Sequence, residues 1–188
     1  MKFKLAKKYA LQRIASDDFK KNIEDEDPNM VKFIPIFLEM NQLDFLTTNS
    51  QAGHSHKGKS VFTGKEYILS ERAYLEGFLP EAKAERFIKE IALHTDKNAI
   101  FIPSCKELDI SSKLDIPLTI TESAGKQEIN THMSTAVPSS LTDMLRKQLK
   151  LNKSEKVVYI FCWDTIWNRL ASKKNGLFTD VIRILKML

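Results

Sequence analysis

Seven consecutive apolar residues, Val157-Val158-Tyr159-Ile160-Phe161-Cys162-Trp163, make the strongest strand signal in the chain. β-Branched and aromatic side chains in an unbroken run favour a pleated, buried backbone. Such a strand needs sheet neighbours and covering helices, and the rest of the sequence supplies both. Ala99-Ile100-Phe101-Ile102-Pro103 is a compact apolar strand, and Ile116, Leu118 and Ile120 alternate with Thr119 and Thr121. Phe45-Leu46-Thr47-Thr48 is a short β-rich run. Residues 66–79 carry Tyr67, Ile68, Leu69, Tyr74 and Phe78, one long or two short strands ended by Pro80. Glu81 to Leu93 places Ala84, Phe87, Ile88, Ile91 and Ala92 on one helical face, and residues 178–187 do the same with Val181, Ile182 and Leu185. Ser140 opens a helix to about Leu151, with Asp143 as a weak capping partner.

Met30 to Leu43 is too apolar for a surface helix and predicts the central buried one. Asn29 stands at its cap, and Pro35 inside it predicts a kink or an early 3₁₀ turn, because proline removes one internal hydrogen bond. Residues 54–60, His-Ser-His-Lys-Gly-Lys-Ser, have no core-forming side chain and read as an exposed mobile loop; residues 123–138 read as polar and irregular. Strands and helices roughly alternate. The fold class is therefore α/β or α+β, a single domain with a mixed sheet of about five strands and four or five helices packed on it. No helix separates residues 45 and 79, so the strands there should be antiparallel. A chain of 188 residues with 43% hydrophobic residues suits one domain and excludes disordered, collagen-like and coiled-coil classes. No run of 18 apolar residues exists to span a bilayer, and the basic start lacks the apolar stretch of a signal peptide.

The charge is uneven. Residues 1–21 carry seven basic groups (Lys2, Lys4, Lys7, Lys8, Arg13, Lys20, Lys21) against Asp17 and Asp18, which equals the +5 of the whole chain; residues 22–188 balance at 22 against 22. Residues 1–24 thus read as a basic arm or helix, and residues 25–188 as the globular domain. The arm is either free to meet phosphate or an acidic surface, or an amphipathic helix with Leu5, Tyr9 and Ile14 facing inward. Every apolar run that can form a core starts at Met30 or later, so deletion of the arm should leave a folded domain. A protein that reads duplex nucleic acid would keep its positive stripe on the folded body.

The chemistry-bearing residues form no complete catalytic set. If the strands ran parallel, polar groups after their ends would converge at one edge: Thr48, Ser50 and Gln51, then Ser104 and Cys105, Glu122, and Asp164 flanked by Trp163 and Trp167. A hydrolase or nuclease would draw on Ser50, Gln51, Glu71, Arg72 and Asp164, with Glu76 as a further carboxylate. His54-x-His56 sets two imidazoles on one side of an extended segment, a weak metal pair. Lys57 and Lys59 can meet phosphate, but G-x-x-x-x-G-K-[ST] and G-x-G-x-x-G are both missing, and no cofactor is expected. Two cysteines far apart, Cys105 and Cys162, indicate buried thiols and a reducing, intracellular setting.

The stretch Leu38-Glu-Met-Asn41-Gln-Leu-Asp44-Phe45-Leu-Thr47-Thr-Asn-Ser50-Gln51-Ala-Gly53 resembles a pattern in small uncharacterised proteins of large DNA viruses and some bacteria, in which a helix leads into Gly-Phe-Leu-Thr-Thr-x-Ser-Gln-x-Gly. Glu71–Phe78 and Gly176–Asp180 look like companion segments, and Asp44 stands where the pattern has glycine. The resemblance implies one domain of a shared type and a viral source, with a host-cytoplasmic or virion location; it supplies no mechanism. Its motif residues are expected to be architectural: Thr47, Thr48, Ser50 and Gln51 bonding a neighbouring backbone, and Gly53 at positive φ. Glu71 is expected on the strand face of Ala73 and Leu75, and Arg72 on the face of Tyr74 and Glu76, paired with Glu76 or Asp164. The function expected from all of this is a non-enzymatic binding or structural protein, a virion component or host-interaction protein with a protein partner or larger assembly. The alternatives are a nucleic-acid binder using Lys4, Lys7, Lys8, Lys57 and Lys59, and the hydrolase or nuclease above.

Overall fold

The computed structural model describes residues 2–61, 63–102, 104–105, 116–132 and 137–188. In chain order the elements are α1 (Lys2–Ile14), α2 (Asp17–Glu26), a 3₁₀ turn (Pro28–Phe33), α3 (Ile34–Gln42), β1 (Leu46–Gln51), β2 (Ser55–Lys59), β3 (Glu66–Glu71), β4 (Tyr74–Pro80), α4 (Glu81–His94), β5 (Lys97–Phe101), β6 (Ser104–Cys105), β7 (Ile116–Ser123), β8 (Lys126–His132), β9 (Val137–Pro138), α5 (Ser139–Gln148), β10 (Val157–Asp164) and α6 (Leu177–Leu185).

Instead of one mixed sheet of about five strands there are two four-stranded sheets, β1-β4-β10-β5 and β2-β3-β7-β8, and every pairing within them is antiparallel; β6 and β9 add a short parallel pair. The fold is therefore mixed α and β with antiparallel sheets. The apolar run of β10 has its explanation in the packing of the first sheet. Ile160 and Cys162 point into a cluster with Phe37 and Met40 of α3, Phe87 and Ile91 of α4, and Phe178, Val181 and Ile184 of α6. Tyr159, Phe161 and Trp163 point the other way, into a second cluster with Ala6 and Ala10 of α1, Leu149 and Leu151 beyond α5, and Ile116 and Leu118 of β7. A strand covered on both faces shows no polar alternation. Burial also pushes the Cys162 thiol well above its ordinary pKa, which leaves it inert.

Pro35 sits in the first turn of α3, directly after the 3₁₀ turn, where its missing N–H costs nothing. Two strand expectations fail for one reason. The segment expected as a mobile loop is β2, and much of the segment expected as irregular is β8. Neither carries apolar periodicity, because the second sheet is largely solvated; partner strands hold them instead. His56 lies opposite Leu69, the Tyr67 ring lies directly on Gly58, and β7 turns into β8 through Ala124 and Gly125, both at positive φ, as a tight hairpin requires.

The segments that carry the resemblance meet in space. β1 pairs with β4, and Ala171, on the loop before α6, donates to Ala52 (2.8 Å) and accepts from Phe178 (3.0 Å). Asp44 takes φ +76, the left-handed backbone that glycine adopts freely, and its carboxylate holds Lys7 (2.6 Å) and Lys83 (2.8 Å). Burial raises the Asp44 pKa, but the two lysines outweigh it and hold the group below its ordinary value.

Gly53 has φ +69, and a Cβ there would lie 2.5 Å from the Ala73 nitrogen and 2.9 Å from the Arg169 carbonyl oxygen. Left-handed strain and overpacking add, so Gly53→Ala should cost about 2 to 4 kcal/mol in urea denaturation. An unchanged midpoint would show that the turn relaxes without cost.

Candidate functional site

The basic residues of α1 do not form a free arm. Ala6 and Ala10 are fully buried and Ile14 is 1% exposed, whereas Leu5, expected to face inward, is 61% exposed and Tyr9 lies at the rim. Helical spacing explains the choice: Phe3, Ala6, Ala10 and Ile14 share a stripe that lets the helix approach closely through its small residues. Phe3, Ala6 and Ala10 of that stripe share an apolar cluster with Leu141, Leu145, Leu149 and Leu151 of α5 and its tail. At their seam the Lys150 ammonium stands 4.1 Å from the centre of the Tyr9 ring. Exposed lysines stand on both elements, Lys4 and Lys8 on α1 and Lys147, Lys150 and Lys153 on α5 and its tail, and the Lys150–Tyr9 contact joins the two. Lys7 drops out of the binding set, being committed to Asp44. Arg146 caps the tail, donating to the carbonyls of Asn152 (2.6 Å) and Glu155 (2.9 Å). Only Lys153 of the five outward lysines meets a described carboxylate, Asp143 at 3.6 Å.

Lys57 and Lys59 lie on the second sheet, where with Lys126, Tyr67, Glu66 and Glu122 they line a broad concavity of about 780 Å³. Its carboxylates nearly balance its lysines. His54 and His56 do lie on one side of the extended segment, with rings stacked 5.3 Å apart. Nδ1 of His54 is 2.9 Å from Oε2 of Glu71, while His56 leans on the edge of Tyr67. Among the described residues no three His, Cys, Asp or Glu side chains are grouped to hold a metal.

The motif residues are partly architectural and partly displayed. Thr47 accepts a hydrogen bond from the buried Asn41 side chain (2.9 Å), not from a backbone; Thr48 meets the Tyr159 hydroxyl (3.2 Å); Gln51 donates to the Arg72 carbonyl (3.2 Å). The Ser50 amide donates to the side chain of its neighbour Asn49 (2.9 Å). Thr47 to Gln51 and Glu71 also form one wall of a cleft facing α2. Burial pushes the Glu71 carboxyl above its ordinary pKa, against the opposing pull of His54 and with a small addition from Asp27.

Arg72 pairs with neither Glu76 nor Asp164. Its guanidinium lies 4.4 Å over the Trp167 ring and donates to the Pro117 carbonyl (3.3 Å). Glu76 is buried and accepts the Tyr159 hydroxyl. Asp164, fully buried, is held by Arg169 through Nε (2.8 Å) and Nη2 (2.5 Å), with Lys97 Nζ at 3.7 Å. Antiparallel pairing is the reason these groups separate: successive strand ends fall at opposite edges. Glu71, Glu76 and Asp164 are each held by a different partner. Cys105 lies in β6, but its side chain, like that of His132, is outside the described residues. No helix among the described residues is long and apolar enough to cross a membrane.

Comparison with models of protein families and with curated proteins finds no match for this chain. The residues that sequence reasoning missed are Lys147, Lys150 and Lys153, while Tyr9 was read only as an inward-facing side chain. The density of basic groups from Arg146 to Lys156 was a visible signal, hidden by averaging over a balanced 22–188 segment.

Proposed function

We propose that the protein is a non-enzymatic binding protein that holds nucleic acid by its phosphate backbone on the face shared by α1 and α5. The observation that supports this is the contact of Lys150 with the Tyr9 ring, where the docked N-terminal helix meets the tail of α5. A positive surface on a rigid support neutralises phosphates without the entropy cost of ordering a free arm. The resemblance to proteins of large DNA viruses is consistent with a virion or host-interaction setting for the same activity.

Fluorescence anisotropy with a labelled duplex tests the reading. Binding should weaken steeply between about 50 and 200 mM salt, with a log–log slope of roughly −3 to −5 if most of the five lysines meet phosphate. The variant Lys4→Glu, Lys8→Glu, Lys147→Glu, Lys150→Glu should abolish binding, and Lys57→Glu with Lys59→Glu should change it little. Equal loss in both variants would move the site to the second sheet. Duplex binding that is absent at low salt, or insensitive to salt, would overturn the proposal in favour of an acidic protein partner.

A further inference from the structure

We infer that the cleft between α2 and β1 takes an extended peptide of alternating basic and apolar residues, added as a fifth strand to the first sheet. β1 is the edge of that sheet, so one side of its backbone faces no other described strand. Five consecutive residues of it, Thr47 to Gln51, line a cleft of about 310 Å³. Unpaired strand edges recruit extended chains through main-chain hydrogen bonds, and the pockets alongside select the side chains.

Here the pockets are distinct in character. Phe19 and Ile23 of α2, with Met30 and Phe37 behind, offer an apolar wall on one side. Glu26 and Asp27 supply two carboxylates against a single cation, Arg13, with Glu71 already shared with His54, so the cleft favours a positively charged side chain. Arg13 Nε is buried with no hydrogen-bond partner, a donor that a peptide carbonyl would satisfy. The Ser50 amide donates to the exposed side chain of Asn49, which also bonds Tyr74 and which an incoming strand would have to displace. This site is separate from the lysine face of α1 and α5 and opposite to it in charge preference.

The test uses the full chain and two acetylated, amidated hexamers, one alternating lysine with valine and one alternating glutamate with valine. The lysine peptide should bind saturably and slow amide hydrogen exchange of residues 47–51, and the glutamate peptide should do neither. Glu26→Lys, a change at an exposed position, should weaken binding about tenfold. Ser50→Pro should abolish it, since an outward N–H on an edge strand is where proline is tolerated yet blocks pairing. Failure of Ser50→Pro to fold would leave Glu26→Lys to decide. The inference is overturned if both hexamers bind alike, if protection appears away from β1, or if binding survives Glu26→Lys undiminished. It is also overturned if sedimentation shows β1 occupied by a second copy of the chain.

Discussion

Replacing Lys97 with alanine should remove about 3 to 5 kcal/mol of stability, the cost of leaving buried carboxylates without their cation. The Lys97 side chain is fully buried at the start of β5. Its ammonium contacts Asp96, Asp180 (3.3 Å), Asp164 (3.7 Å) and the Asn175 carbonyl (2.8 Å). Arg169 and Arg183 close the network, which then holds three carboxylates and three cations. A loss of that size is a large share of the 5 to 15 kcal/mol typical of a domain, so the urea midpoint should fall sharply with little change in slope. A loss under about 1 kcal/mol would mean that the carboxylates find water or protons instead.

The same network sets the acid limb of stability. Hydrogen bonds from Arg169, against some burial and with help from Lys97, hold Asp96 well below its ordinary pKa of 3.8. A carboxyl depressed in the folded state stabilises fully above its ordinary value and loses that contribution progressively as pH falls from there through the depressed value. Unfolding should therefore become easier below about pH 4, and Asp96→Asn should flatten that part of the profile.

Deleting residues 1–15 should lower the melting temperature by about 6 to 12 °C, taking roughly 3 kcal/mol at 2 to 4 °C per kcal/mol for a chain of this size. Ala6 and Ala10 pack in the cluster of Leu46 and Phe78 and Ile14 in the cluster of Met40, so the deletion thins both cores and frees Asp44 from Lys7. Ala10→Glu, which puts a charge into the same fully buried position, should act in the same direction with the chain intact. A truncated protein that melts as the full chain does would return residues 1–15 to the status of a solvated arm.

What the sequence alone determined is what depends on neighbours a few residues away. The apolar run of β10, the 3.6-residue stripe of α4, the position of Pro35 and the positive φ of Gly53 all follow from local sterics and periodicity. Of the candidate site, Lys4 and Lys8 were visible as charge, and Ser50, Gln51 and Glu71 as motif residues. The tertiary structure decided the rest. Strand direction was one such matter, and it scattered the carboxylates that a parallel sheet would have gathered. β2 and β8 were another, since polar strands are held by partners and not by their own pattern. Nothing local to Lys97 requires its burial; Asp164 and Asp180, far along the chain, neutralise it in the core. Tyr9 and Lys150 are 141 residues apart, yet the fold brings the N-terminal helix and the tail of α5 into contact there. Local propensity acts over about one turn or one strand, whereas burial of charge and union of surfaces depend on which distant segments the core brings together.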